Sequence, residues 1–264
     1  MNILEKIIEH KKLEVTQHRM SAPMQELQSS EYFYRPCLSL KQSLQNKNGT
    51  GIIAEFKRQS PSKGVINGDA DVIKITGAYT LNGAAGLSVL TDKHFFGGSN
   101  GDLLKARANH IPVLRKDFII DEYQIVEAKS IGADVILLIA ACLHPEEVKR
   151  LAVFAKSIGL EVLLEIHNEE ELKHICDECD MVGVNNRDLK TFTVNVNRSI
   201  ELSAKIPSDK IKISESGISD IETIILLRRS GFQGFLMGEH FMKENDPAIA
   251  FAAFVNSFTQ RRQD

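Results

Sequence analysis

Gly51-Ile52-Ile53-Ala54-Glu55-Phe56-Lys57 is a short apolar run that ends in charge, and it is the first of eight such runs. The others are Gly86 to Leu90, Pro112 to Leu114, Ala133 to Ala140, Leu160 to Ile166, Met181 to Val184, Lys210 to Ile213 and Phe232 to Met237. Each is rich in Val, Ile and Leu and too short for a helix, so it reads as a buried strand. The segments between them, such as Glu146 to Ser157 and Asp220 to Ser230, are long enough for helices. Eight strand–helix units in about 210 residues is the arithmetic of an α/β fold of the (β/α)8 TIM-barrel type. The alternative is an open doubly wound sheet, which carries a Gly-rich turn after its first strand. Here that turn is Lys57-Arg58-Gln59-Ser60-Pro61-Ser62-Lys63-Gly64, with one glycine and a proline, so a dinucleotide fingerprint is absent.

Upstream of the first run the pattern differs. Ile3, Leu4, Ile7 and Ile8 alternate with Lys11, Lys12, Glu14 and Arg19 at the spacing of an amphipathic helix over residues 3–20, expected to pack on the main body. Pro23 and Pro36 then punctuate a polar stretch that ends in a loop, Gln45 to Thr50. Residues 1–50 therefore read as an N-terminal helical extension and 51–264 as the barrel, a single domain overall.

Composition narrows the function classes. The chain has 264 residues, 43% hydrophobic and 25% charged, an ordinary globular balance. With 32 Lys and Arg against 35 Asp and Glu, a net charge of −3 gives no electrostatic reason to expect nucleic acid. The longest apolar stretch, Val135 to Cys142, falls well short of the ~20 residues a spanning helix needs, so no membrane partner is expected. The N-terminus lacks the unbroken apolar core of an export signal, and four cysteines do not make a disulfide framework, so a cytoplasmic setting is expected. Cys176 and Cys179, with His174 nearby, have no second ligand pair at zinc spacing, and no metal site is expected.

In a barrel enzyme the chemistry sits at the C-terminal ends of the strands. Glu55 and Lys57 project to one face by the period of two, and three more strands end in Arg115-Lys116-Asp117, Glu165-Ile166-His167 and Asn185-Asn186-Arg187-Asp188. Two lysines and two glutamates are thus expected to meet at the mouth. The seventh and eighth strands run into Ser214-Glu215-Ser216-Gly217 and Gly238-Glu239-His240, where glycine-flanked N–H groups and a short helix start form the usual barrel phosphate site. Phe95-Phe96-Gly97-Gly98-Ser99 reads either as a flap carrying aromatic wall residues or as an ordinary surface loop.

Several of these segments are long enough to carry a resemblance. Glu55-Phe56-Lys57-Arg58-Gln59-Ser60-Pro61-Ser62-Lys63-Gly64, Ser88-Val89-Leu90-Thr91, Pro112-Val113-Leu114-Arg115-Lys116-Asp117-Phe118-Ile119-Ile120-Asp121-Glu122-Tyr123-Gln124 and Asn185-Asn186-Arg187-Asp188-Leu189 closely resemble the indole-3-glycerol-phosphate synthase family of tryptophan biosynthesis, in order and over essentially the whole chain. The resemblance implies a carboxy-lyase that closes the indole ring of 1-(2-carboxyphenylamino)-1-deoxyribulose 5-phosphate, with no metal or organic cofactor and no obligatory protein partner. It makes Lys116 the general acid, Glu165 the acid/base of the dehydration and Lys57 a second catalytic lysine, supported by Glu55, Asn185 and Ser216. Substrate-binding candidates are Ser60 and Arg187 for the carboxylate, Phe96 and Phe118 for the aryl ring, and Glu215, Gly217, Gly238 and Glu239 around the phosphate. His240 departs from the serine that many relatives carry there, leaving the phosphate to backbone N–H groups. The nearest rival, a phosphoribosylanthranilate isomerase, would need a Cys where Glu55 and Lys57 stand. A Schiff-base aldolase and a non-catalytic phosphate-binding barrel are the further alternatives.

Overall fold

The computed structural model describes residues 2–188 and 191–261, and in it the eight apolar runs are eight parallel strands closed into a barrel. They are β1 (Ile52–Phe56), β2 (Gly86–Leu90), β3 (Val113–Lys116), β4 (Val135–Ile139), β5 (Glu161–Ile166), β6 (Met181–Asn185), β7 (Ile211–Glu215) and β8 (Gly234–Met237). Consecutive strands are neighbours around the ring, and β1 closes on β8 with Ile52, Ile53 and Ala54 opposite Phe235, Leu236 and Met237. Leu189, the last residue of a motif quoted above, and the end of the chain at Asp264 lie outside the described residues.

Strand ends differ from the apolar runs in one systematic way. β3, β6 and β7 continue into polar residues, to Lys116, Asn185 and Glu215. Ladder hydrogen bonds are made by the backbone, so a strand persists while its neighbour does, whatever the polarity of the side chain. Conversely the run Ala133 to Ala140 is trimmed to Val135–Ile139, its end turning into a 3₁₀ segment, Ala140–Cys142.

Alternation sorts the side chains into two cores. Ile53, Leu114, Val135, Leu137, Leu163, Met181, Ile213 and Leu236 fill the barrel interior, while Ile52, Ala54, Val113, Ile136, Val162, Leu164, Val182 and Phe235 pack outward against the helices. Two residues beyond the inner Ile53, Leu114, Leu163 and Ile213 stand Glu55, Lys116, Glu165 and Glu215. The parity that fills the core therefore aims these polar groups into the mouth.

The N-terminal segment closes both ends of the barrel. α1 (Ile3–Ser21) starts with a capping box between Asn2 and Glu5, followed by α2 (Met24–Gln28) and α3 (Leu40–Gln45). α3 plugs the N-terminal end: Leu40 and Leu44 are buried in the inner core, Lys41 donates its backbone N–H to Glu161 at the start of β5 (3.0 Å), and Ser43 donates to the Ala85 carbonyl (2.6 Å). Two leucines in a polar stretch are too weak a pattern to single this helix out in the sequence.

α1 covers the other end and is pinned there by a buried cation. Lys11 is fully buried, and its Nζ lies 2.8 Å from Glu14 Oε1, 2.9 Å from Asp92 Oδ2 and 2.9 Å from Asp117 Oδ1. Asp92 follows β2 and Asp117 follows β3, so one ammonium ties α1 to two strand ends. Burial would discharge Lys11, but the carboxylates of Asp117, Asp92 and Glu14 overcome it and push its pKa up. The outward-facing Arg115 extends the network to Asp117 (3.2 Å) and Glu127 (2.6 Å), and Glu127 in turn meets His18 of α1 (3.0 Å).

Candidate active site

The six residues singled out as catalytic and the eight singled out for substrate binding all line one cavity of about 470 Å³ at the C-terminal ends of the strands, a volume within the usual range for small-molecule sites. Ile3, Leu4 and Ile7 of α1 form part of its wall.

At the centre is an ion-paired cluster. Lys116 Nζ lies 2.7 Å from Glu165 Oε2 and 2.8 Å from Glu215 Oε2, and Lys57 Nζ lies 2.7 Å from Glu55 Oε1. Asn185 Nδ2 donates to the second oxygen of Glu165 at 3.1 Å. The expected meeting of two lysines and two glutamates thus includes a third carboxylate, Glu215, whose place is on the ammonium of Lys116. Glycines make the room: a Cβ at Gly183 would lie 2.1 Å from Glu215 Oε1, and one at Gly238 would lie 2.7 Å from Glu55 Oε1. Any larger residue at these inward positions would push a carboxylate off its partner.

The cluster divides its protons unequally. Burial disfavours charge on Lys116, but Glu165, Glu215 and Glu55 around it prevail and raise its pKa, so it is a fully protonated acid. Glu165 is equally buried, yet Lys116 and His167 hold its carboxyl well below the usual range. Glu215 goes the other way: burial, with the charge of Glu165 nearby, outweighs its own contact with Lys116 and pushes it up to about 7. Near neutrality the pocket therefore presents one charged acid, one ionised base and one carboxyl close to half-protonation.

The rest of the wall is built from the loops after β1, β2, β3, β6, β7 and β8. Ser216 and Gly217 follow one another at φ 68° and 76°, a left-handed pair that turns the chain sharply at the end of β7. Gly238 precedes the short helix Glu239–Met242. Arg187, its N–H on Asn185 Oδ1 (3.0 Å), reaches Glu239 Oε2 at 3.0 Å, and Lys63 approaches Glu239 Oε1 at 3.9 Å. Phe96 and Phe118 face each other with ring centroids 6.0 Å apart. Ser60 is buried in the two-residue hairpin 59–60 and 64–65 after β1, its Oγ 3.4 Å from Ser62 Oγ. The segment after β2 is a helical turn, Lys93–Phe96, closed by Gly97, and Gly98 packs directly on the end of β2, where a Cβ would meet the Leu90 carbonyl at 2.1 Å.

Sequence reasoning assigned no role to Lys63, to His167 or to the Lys11 network. His167 carried a usable signal, because it stands two residues beyond Glu165 and so shares its face. Glu14 is an i,i+3 neighbour of Lys11, but its other two partners, Asp92 and Asp117, are 81 and 106 positions away, and no spacing rule connects them. Cys176 and Cys179 have their Sγ atoms 3.5 Å apart, and no group of three or more His, Cys, Asp or Glu side chains suited to a metal occurs among the described residues. No helix among the described residues is long and apolar enough to cross a membrane.

Fold and site together define a (β/α)8-barrel enzyme whose mouth is arranged for acid–base chemistry. Residues 4–254 match the sequence profile of indole-3-glycerol phosphate synthase. The chain is 46% identical over 257 residues to the indole-3-glycerol phosphate synthase of Bacteroides thetaiotaomicron, covering 97% of this chain and 98% of that one. It is 45% identical over 249 residues to that of Caldanaerobacter subterraneus (94% and 96% covered) and 40% identical over 259 residues to that of Bordetella pertussis (96% and 99% covered). The chain belongs to the indole-3-glycerol phosphate synthase family.

Proposed function

We propose that this chain closes the indole ring of 1-(2-carboxyphenylamino)-1-deoxyribulose 5-phosphate, yielding indole-3-glycerol phosphate, carbon dioxide and water, and that the pocket residues divide the work as follows. Lys116 is the general acid. As the aryl carbon bearing the carboxylate attacks the ketone, negative charge builds on the carbonyl oxygen, and a buried ammonium held between two carboxylates suits proton delivery there. The new C–C bond leaves the ring non-aromatic and the nitrogen iminium-like. Breaking the bond to the carboxylate returns its electron pair to the ring, which restores aromaticity without an external electron sink. The last step removes the hydroxyl as water: a lysine, Lys57 or Lys116, protonates it, and Glu165 takes the proton from the adjacent carbon.

Asn185 orients Glu165, Glu55 fixes Lys57, and Glu215 shares the charge of Lys116. The phosphate takes the Ser216-Gly217 turn and Gly238, where Lys63 adds positive charge beside Glu239. The aryl ring takes the space between Phe96, Phe118 and the aliphatic face of α1, with Ser60 and Arg187 at its carboxylate. Residues 1–50 act as an extension that completes the pocket of a single-domain barrel spanning 51–264. The substrate is a small phosphorylated molecule, and the setting is cytoplasmic.

The observation that carries this reading is the contact of Lys116 with both Glu165 and Glu215. A steady-state assay following indole fluorescence tests it. Turnover by the native protein, undiminished by a chelator and lost in Lys116→Met, is the expected result; no product from the folded native protein refutes it.

A further inference from the structure

The reaction makes a demand on Glu165 that its contacts with Lys116 and Asn185 do not meet. Glu165 must stay an ionised base until the dehydration step, yet its ammonium partner is the group that gives a proton away. When Lys116 delivers that proton it becomes neutral, and Asn185 brings a donor but no charge.

A second cation stands on the other oxygen. His167 Nε2 lies 3.3 Å from Glu165 Oε1, the oxygen not taken by Lys116. The imidazole is buried, 7% exposed, and its other nitrogen, Nδ1, lies 3.4 Å from Glu171 Oε2. That same carboxylate oxygen accepts the His167 backbone N–H at 2.7 Å. Glu171 is itself held, accepting from Asn168 Nδ2 at 2.9 Å through its second oxygen. The ring therefore stands between two carboxylates, hydrogen-bonded through Nδ1 to the one on the 3₁₀ segment that follows β5 and in charge contact, without a hydrogen bond, through Nε2 with the one in the pocket.

We propose that His167 is a positioning residue for Glu165: bridged to Glu171, its imidazole fixes Glu165 Oε1 and supplies the counter-charge that remains when Lys116 has given up its proton.

The electrostatic surroundings support this. Burial works against a charged His167, but Glu165 and Glu171 outweigh it and push its pKa up to about 9, so the ring is an imidazolium near neutrality. Cys142, on the 3₁₀ segment after β4, is coupled to both carboxylates and stays a neutral thiol, because burial and those charges push its pKa up. The inference rests on the reaction proposed above and adds a residue to it.

The test is the pH dependence of kcat, which reports groups in the enzyme–substrate complex. Removing a cation beside Glu165 raises its pKa, so in His167→Leu the lower acidic limb of kcat, set by Glu165 and lying below the ionisation of Glu215, should move to higher pH by roughly 1 unit, with KM nearly unchanged. In a Glu165→Gln background the same substitution should cost nothing further. An unshifted limb, or a full additional loss in the Glu165→Gln background, overturns the proposal. Should His167→Leu not fold, Glu171→Gln serves in its place: the imidazole signal, followed by NMR, should titrate near 9 in the native protein and lower in Glu171→Gln. Titration in the ordinary histidine range in both proteins overturns the bridge. A native protein that makes no indole product refutes the reaction and this inference together, whereas a productive native protein with an unshifted limb overturns the inference alone.

Discussion

Replacing Lys11 by Met should release α1 from the barrel without unfolding the barrel, and the magnitudes show why. With α1 docked, the substitution leaves Asp92 and Asp117 buried without their shared counter-charge, which costs about 3–5 kcal/mol for a broken buried pair. Against that stands the apolar docking of α1, carried chiefly by Ile7 and Val15, 3% and 7% exposed. At about 1.5–3 kcal/mol each they supply roughly 3–6 kcal/mol, reduced by the freedom their side chains lose. The two sums are comparable, so lifting α1 and rehydrating both aspartates is the cheaper response. Hydrogen exchange followed by peptide should show residues 3–21 losing protection while β1 to β8 keep theirs. Because Ile3, Leu4 and Ile7 form pocket wall, KM should rise by roughly tenfold, equivalent to about 1.4 kcal/mol of lost contact. Unchanged protection of α1 would refute the pinning role of Lys11. Simultaneous loss of protection in α1 and the strands would refute the separation of α1 from the barrel.

Other consequences are as direct. Gly183→Ala places a Cβ 2.1 Å from Glu215 Oε1, so kcat should fall at least tenfold as Glu215 is driven off Lys116, and the melting temperature should fall with the broken buried pair; a fully active variant would contradict the close approach. Glu215, pushed up to about 7, should contribute an ionisation near neutrality to the pH profile of kcat/KM, and Glu215→Gln should remove it. Burial opposes ionisation of Asp117, but Lys11 and Arg115 hold its pKa at about 2, below the ordinary 3.8. A depressed folded-state value means stability that is present above the unfolded pKa and lost as pH falls from about 4 towards 2, worth roughly 2 kcal/mol for a shift of this size. Urea titrations of the native protein and Asp117→Asn across that window should differ in slope, and parallel curves would count against the network.

The barrel was legible because its signal is local. Each strand announces itself within a few residues of Val, Ile and Leu, and the count of eight such runs needs no long-range information. The mouth was legible for the same reason, since Glu55 and Lys57 share a face by a parity rule that operates over two positions; the same rule joins His167 to Glu165, where the sequence reading gives His167 no role. Charge pairing across the fold was not. That Glu215 would sit on Lys116, and not only beside the phosphate turn, depends on the glycine at position 183 opposite it, and the partners of Lys11 depend on how α1 lies across the mouth. Hydropathy ends these strands short of Lys116, Asn185 and Glu215 because it stops where the polar residues begin, while the backbone ladder does not.

That last point bears on how the acid is held. Lys116 lies between Arg115 and Asp117, and alternation sends its side chain inward to Glu165 and Glu215 while theirs pair with each other. Arg115 is bound to Glu127 on the helix Glu122–Ser130, and Asp117 to Lys11 on α1. The main chain on either side of the acid is thus tethered to the helical layer and to the covering helix, both through buried charges that are costly to break. Docking of α1 and the aim of Lys116 are then not independent. Ile3, Leu4 and Ile7 of the same helix line the pocket, so a displacement of α1 there is passed through the Lys11–Asp117 pair to the residue next to Lys116. Under the reaction proposed above, binding energy gathered at the aromatic end of the pocket is then available for orienting Lys116 at the carbonyl.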